Sequence, residues 1–439
     1  MKYSYYKNLQ WQFIKKLSNL NFSILLLLII ACTSIIGTVI EQDKDIQYYQ
    51  SNYPINSSSI NYINWKNIAL FGLDHIYATW WFISLLILFF CSLLTCTFSR
   101  QLPSLRNARV WKFMPNDSIY KQDIKIKSIS NISCTNMTYI LNLQKYYVFQ
   151  KDTRIYSYKG LIGRISPIFV HVSLIITLFG SMIGFFSGFT AQEIIPNREI
   201  FHIQNTISSG FYSYLPNNII GKIDHFFIEY NQDKSIKQFY SNLTLLTNKG
   251  KYLTTKLISV NSPLKFSGLT FYQTSWNINA IKVEFDRQIV QQKLIETTFN
   301  NTRIWVYNLS IEPNKQLSFV ISGLNNQICI YNSSGDLMQK INIGEKLNLN
   351  NHEFTITELM TSTGIQIKTD PGIYIVYIGF LILIISIALS YLSYCEVWID
   401  HDKNSVRITG LTNRGQLTFE EELIKIHKQF LQMQITVIK

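Results

Sequence analysis

Residues 160–188 read GLIGRISPIFVHVSLIITLFGSMIGFFSG, and this stretch decides the fold. From Ile165 to Phe189 it holds no charged residue and one histidine, His171. A helix needs ~20 apolar residues to cross a bilayer core. Three more runs of that kind stand at about 22–40, 76–98 and 371–394, and none contains Asp, Glu, Lys or Arg. The expectation is an α-helical membrane protein with four spans. Buried helices of a large soluble protein would not give four such runs with charged flanks.

Charge orients the spans. The chain has 439 residues and a net charge of +13. Residues 1–21 carry Lys2, Lys7, Lys15 and Lys16 and no acid, and the segment 99–164 carries twelve Lys or Arg against three Asp. Lys403, Arg407 and Arg414 follow the last run. Basic loops stay inside, so the N-terminus, 99–164 and the C-terminus share the inner side. The acidic 41–75 and the nearly balanced 190–370 are then outside. Topology accounts for the basic charge without nucleic acid. The first run ends GTVIEQ, with no small-residue cleavage site, and reads as an anchor. Of the six cysteines only Cys329 falls in the outer segment, and no CxxC occurs. That excludes an internal outer disulfide and argues against a thiol oxidoreductase.

The expected organisation is 1–98 (tail and spans 1–2), 99–164 (a mixed α/β inner loop domain), 165–189 (span 3), 190–370 (a large β-rich outer domain), 371–394 (span 4) and 395–439 (inner tail). The outer segment holds short strand-like runs such as FFIEY (226–230), KYLTTKLISV (251–260) and LTFYQTSW (269–276), with turns at NQDK (231–234), NKG (248–250) and SSGD (333–336). These suggest a sandwich or irregular barrel. In the inner loop YKQDIKIKS, KYYVFQ and DTRIYSYKG resemble strands, and NISCTNMTYILNLQ (131–144) suits a short helix. In the tail LTFEEELIKIHKQFLQMQ (417–434) suits a helix with apolar positions 419, 423, 424, 426 and 430, expected to pack on the membrane surface or on a partner.

An ionisable side chain within a span marks function by default. About six residues into the third run, His171 lies ~9 Å from the inner end. Its imidazole can ligate haem iron, which needs a second axial ligand from elsewhere. The competing role is an interhelical hydrogen bond to a carbonyl or to Ser173 or Ser166. Gly180, Gly184 and Gly188 have the small-xxx-small spacing of close helix packing. At ~100° per residue His171 is half a turn away from that seam, so the two serve different neighbours. His75, at the outer start of span 2, is a weaker ligand candidate. Asp370 suits the cap of span 4, with Pro371 at its first position. No metal cluster, catalytic triad or phosphate loop appears.

Five stretches in order resemble the ResB/CcsB family of system II cytochrome c biogenesis proteins, in its plastid form. NFSILLLLIIACTSIIGTVIEQ (21–42) is similar to a first span ending GT-x-I-x-Q, and HIYATWWFISLLILFFCSLLTCTFSR (75–100) to a second. YKGLIGRISPIFVHVSLI (158–175), SGLTFYQTSW (267–276) and GIQIKTDPGIYIVYIGFLILIISIALSYLSY (364–394) resemble its KG-x-x-GR…HxxL, G-x-x-FYQ-x-x-W and DPG-x-x-x-VY-x-GF elements. The resemblance implies a non-catalytic subunit that works with a CcsA-type membrane protein to deliver haem b and attach it to CxxCH motifs of c-type apocytochromes. It makes His171 the haem axial ligand. Trp80-Trp81 lacks the pattern of a tryptophan-rich haem-handling motif, so attachment would rest on the partner. It implies a thylakoid membrane with both termini on the stromal side; a bacterial plasma membrane is the alternative. A scaffold that never touches haem, or a sensor, would be the competing functions, and the inner segments are too short and plain for a sensor output.

Overall fold

A computed structural model describes residues 11–12, 14–55, 64–103, 123–127, 134–232, 235–285, 288–299, 302–312, 315–325, 327–349, 352–402 and 405–438. Lys2, Lys7, half of the NQDK turn, and the first residues of the strand expected from 120 and of the helix expected from 131 lie outside them. The chain divides into two compact units, Met1–Gly180 with Tyr374–Lys439, and Ser181–Ile373.

Among the described residues, four helices are long and apolar enough to cross a membrane. The first is α1 (Leu20–Val39). Two short helices follow, α2 (Ile46–Asn52) and α3 (Trp65–Phe71). The second span is α4 (Trp80–Cys96), prolonged by a π-turn over Thr97–Gln101. After β1 (Asp123–Lys127), α5 (Cys134–Leu143), β2 (Tyr147–Lys151) and β3 (Arg154–Lys159) comes the third span, α6 (Leu161–Ser187). It begins four residues before the uncharged run, because Arg164 lies within its first turn and is neutralised there by Glu396. Leu26 of α1 packs with Phe89 and Leu93 of α4, and Leu174, Ile175 and Leu178 of α6 join them. The Ser23 and Ser92 hydroxyls, 2.8 Å apart, add a polar link between spans 1 and 2.

The second unit is antiparallel β. Its strands are β4 (Phe189–Pro196), β5 (Ile200–Phe201), β6 (Thr206–Ser209), β7 (Ile219–Tyr230), β8 (Ile236–Thr247), β9 (Tyr252–Ser259), β10 (Leu264–Phe266), β11 (Leu269–Phe285), β12 (Gln288–Lys293), β13 (Ile295–Phe299), β14 (Thr302–Glu312), β15 (Lys315–Ile321), β16 (Gln327–Tyr331), β17 (Leu337–Asn342), β18 (Lys346–Leu349) and β19 (His352–Thr369). They form sheets ordered β10-β11-β19-β4-β6, β13 to β17, and β5-β7-β8-β9, with β12 and β18 attached to the first. The long pair β11 and β19 serves two cores. Leu269 and Phe271 pack with Ile365, Ile367 and Leu243; farther on, Trp276, Ile278 and Val283 pack with Trp305, Phe319 and Phe354. Register shifts near Gln273, Ile278 and Lys282 break the period of two. That is why a 17-residue strand reads in sequence as a short one ending at Trp276.

The fourth span is α7 (Ile373–Ser390), followed by β20 (Cys395–Asp402), β21 (Ser405–Thr412) and α8 (Gln416–Ile438). The last three do not form a separate tail. β1, β21, β20, β3 and β2 make one sheet in that order, so the segments before span 3 and after span 4 build one domain. Phe419, Leu423, Ile426 and Phe430 of α8 are buried against Val397, Ile399, Val406 and Ile408 of the sheet and Met137, Ile140 and Leu141 of α5. This corrects the expected membrane or partner contact of that helix: its apolar face is taken up by its own chain, and only Ile424 of the expected positions is exposed. Gly410 of β21 lets the helix close in, since a Cβ there would meet Phe419 and Leu423.

Candidate functional site

His171 lies in the eleventh position of α6, one turn before Leu174 and Ile175, which face spans 1 and 2. Its Nδ1 is buried and has no hydrogen-bond partner among the described residues. The two hydroxyls that could have engaged it are committed within their own helix. Ser173 Oγ donates to Val170 O at 2.7 Å and Ser166 Oγ to Ile162 O at 2.8 Å. An imidazole held among apolar side chains with no internal partner can accept a metal or an external donor.

Arg164 stands on the same side of α6, seven residues and ~10 Å toward the mixed domain. Its Nη1 donates to Tyr394 Oη at 3.0 Å and lies 3.4 Å from Glu396 Oε1. The guanidinium also stacks on the Tyr394 ring, 4.8 Å from its centroid. Glu396 Oε1 accepts from Tyr394 Oη at 2.7 Å and from Tyr156 Oη at 2.9 Å. Burial first, and then hydrogen bonding to Tyr394 and Glu396, push the Tyr156 hydroxyl well above its ordinary range, so it stays protonated and keeps the proton it donates to Glu396. The cluster joins the foot of span 3 to the sheet. Sequence reading missed it; Arg164 at the start of an apolar helix was the available signal.

The glycines sit elsewhere. A Cβ on Gly180 would meet Val376 N and Ile375 at the start of α7, and one on Gly379 would meet Thr177 of α6. A Cβ on Gly163 would meet Leu392 O. In the second unit Gly184 makes room for the Asp370 carboxylate and Gly188 for Thr369 O. Asp370 Oδ1 accepts from Gly372 N at 3.2 Å, the bond a cap makes to the second residue of a helix opened by Pro371; the regular helix begins at Ile373.

His75 precedes a 3₁₀ turn, Ile76–Ala78. Its Nδ1 lies 2.8 Å from Asp74 Oδ1, and its side chain is half exposed. The structure does not bring it to His171. No group of three or more His, Cys, Asp or Glu able to hold a metal occurs among the described residues.

A sequence model of the ResB-like family matches residues 20–323 and 323–424. The chain belongs to the ResB-like family. A relative named cytochrome c biogenesis protein Ccs1, from Gracilaria tenuistipitata var. liui, is 50% identical over 428 residues, covering 97% of this chain and 98% of its own. One of the same name from Porphyra purpurea is 46% identical, covering 96% of each. A cytochrome c biogenesis protein CcsB from Picosynechococcus sp. is 37% identical, covering 94% of this chain and 90% of its own.

Two motifs of this ResB-like chain now have physical roles. Gln42, the last residue of GTVIEQ, stitches the loop between spans 1 and 2. Its Nε2 donates to Ile40 O at 2.7 Å and Leu73 O at 3.0 Å, and its Oε1 accepts from Ile76 N at 2.9 Å. In FYQTSW the odd Gln-to-Trp spacing follows from the bulge between Gln273 and Ser275. The bulge returns Trp276 to the buried face that Phe271 and Gln273 share. Gln273 Nε2 there donates to Ser241 Oγ at 2.9 Å.

Proposed function

We propose that this chain, a cytochrome c biogenesis protein like its named relatives, holds haem in the membrane and delivers it for attachment to c-type apocytochromes. The observation that carries the reading is His171, an imidazole inside a membrane helix whose Nδ1 no group of the chain's described residues engages. An unsatisfied polar atom at that depth costs several kcal/mol by general estimates of roughly 2–7, and a ligand that takes the nitrogen removes the cost. Haem suits the surroundings: its ring is apolar, and Leu174, Ile175 and Leu178 line the same face of α6. Bound haem would supply the iron for the imidazole and the vinyl groups for thioether formation. His171 would hold the iron, and the apolar side chains beside it would exclude water.

The second axial ligand, and the attachment step, would come from a CcsA-type membrane partner. Spans 1 and 4 leave Leu25, Leu28, Leu381 and Ile384 exposed, apolar surface open to lipid or to such a partner. The basic segments favour the mixed domain on the stromal side of a plastid thylakoid membrane and the β domain in the lumen. The test is complementation of a strain lacking the gene. His171→Gln keeps hydrogen bonding and ligates iron poorly. It is expected to lower covalent haem on c-type cytochromes at least ~10-fold with the protein level unchanged, a loss of ~1.4 kcal/mol or more in effective affinity. Wild-type haem staining in that strain would leave a scaffold that does not touch haem.

A further inference from the structure

A membrane helix that ends must still satisfy its last carbonyl groups. At the end of α6 a distant loop does this. Tyr212 N donates to Phe186 O at 2.8 Å, and Gly210 N donates to Gly188 O at 2.9 Å. The chain after β6 therefore turns back to the level of the span's last turn. Gly210 is needed for this approach, because a Cβ there would meet the carbonyl oxygens of Phe185 and Phe186.

That backbone fixes the height of three aromatic side chains. Phe211, Tyr212 and Tyr214 are 85%, 72% and 72% exposed. The Phe211 and Tyr212 rings pack edge to face, 5.0 Å between centroids. On the other side the loop is held to the domain by Leu215 and Ile219, which pack on the core beneath β7 and β8. From Ile200 to Gly221 the sequence holds no Asp, Glu, Lys or Arg. Each aromatic ring carries about 150–250 Å² of surface. Aromatic residues with polar tips collect where headgroups meet hydrocarbon.

We infer that the segment Gly210–Tyr214 is a membrane-interface anchor: Phe211, Tyr212 and Tyr214 insert into the headgroup layer beside the outer end of span 3. The occupant is the lipid bilayer itself. The reason is continuity, since the loop's own amides cap the helix that crosses that bilayer. The lack of charge, with Ser209, Ser213 and Asn217 around the aromatic residues, suits a headgroup layer. The anchor fixes the loop and the edge strand β6 at the bilayer surface, whether or not haem is bound.

The test uses the full chain in phosphatidylcholine nanodiscs with tritiated acyl chains. A photoreactive benzophenone amino acid is placed singly at position 211, at 214, and at 338 as a control, because Met338 is exposed on β17. On illumination, tritium attached to the protein is expected to be at least fivefold higher at 211 and 214 than at 338. Equal incorporation at all three positions would overturn the inference. So would attachment of 211 or 214 to a polypeptide in place of lipid when the chain is irradiated in its native membrane. Two anchor positions are read so that loss of one variant through misfolding still leaves a decisive result.

Discussion

His171 and Gly180 stand on opposite sides of one helix. Nine residues at ~100° each make two and a half turns. The side of α6 that carries Leu174, Ile175 and Leu178 meets spans 1 and 2, and the side that carries Thr177 and Gly180 meets span 4. A single span thus separates a tight, small-residue seam from a side that holds an imidazole nitrogen with no partner among the described residues. The seam with span 4 can therefore be altered without touching the side that carries His171.

Gly379→Val tests the seam. The new side chain would overlap Thr177, and overpacking of this kind costs about 1–3 kcal/mol. The thermal unfolding midpoint of the purified protein should fall. The spectrum of any bound haem should be unchanged, because the seam faces away from His171. An unchanged midpoint would show that the helices separate there without cost.

The Arg164 cluster has a graded prediction. Glu396→Ala strands a guanidinium and two phenolic hydroxyls, at a cost of about 3 kcal/mol. The double variant Arg164→Met with Glu396→Leu should be less destabilised than Glu396→Ala alone, since no charge is left unpaired. Unfolding of the wild type, Arg164→Met, Glu396→Leu and the double variant in one detergent measures the coupling. A double variant as unstable as Glu396→Ala, or more so, would contradict an interaction between the two residues.

Cys395 reports the joint domain. Burial raises its thiol pKa, only partly opposed by the hydrogen bond to Thr412. The thiol therefore stays protonated where an exposed cysteine begins to ionise, and the thiolate is the reactive form. At about pH 8, near the ordinary thiol pKa, maleimide modification of Cys395 in the native protein should be more than ~10-fold slower than after denaturation in dodecyl sulfate. Leu423→Asp, which places a carboxylate in that core, should remove the protection. Rapid native labelling would mean that α8 does not cover the sheet.

Gln42→Ala would leave Leu73 O and Ile76 N without their side-chain partner. Each unsatisfied buried group costs about 1–3 kcal/mol. Hydrogen exchange should accelerate at Ile76 while the amides of β11 keep their rates.

The spans were legible because a charge-free apolar run of ~20 residues matches the thickness of a bilayer core. Residues 134–144, 147–151 and 154–159 also revealed their helix and strands through local pattern. The sharing of one sheet by residues on either side of spans 3 and 4 was not legible, because β3 pairs with β20 across more than two hundred residues. Without β20 and β21 in view, α8 had no visible surface to cover. The length of β11 was hidden by its bulges. At the candidate site, His171 stands out in the sequence as ionisable in a span, whereas Arg164 counts only among the basic residues of 99–164. Its partners Tyr394 and Glu396 lie beyond the next span.

The most direct measurement is the absorption spectrum of the purified chain with its CcsA-type partner, wild type against His171→Ala, each with and without added imidazole. The account predicts a Soret band of bis-histidine character that is lost or shifted in the variant and restored by imidazole filling the vacated space. Identical spectra and haem content in the two proteins would remove His171 from the iron and contradict the account.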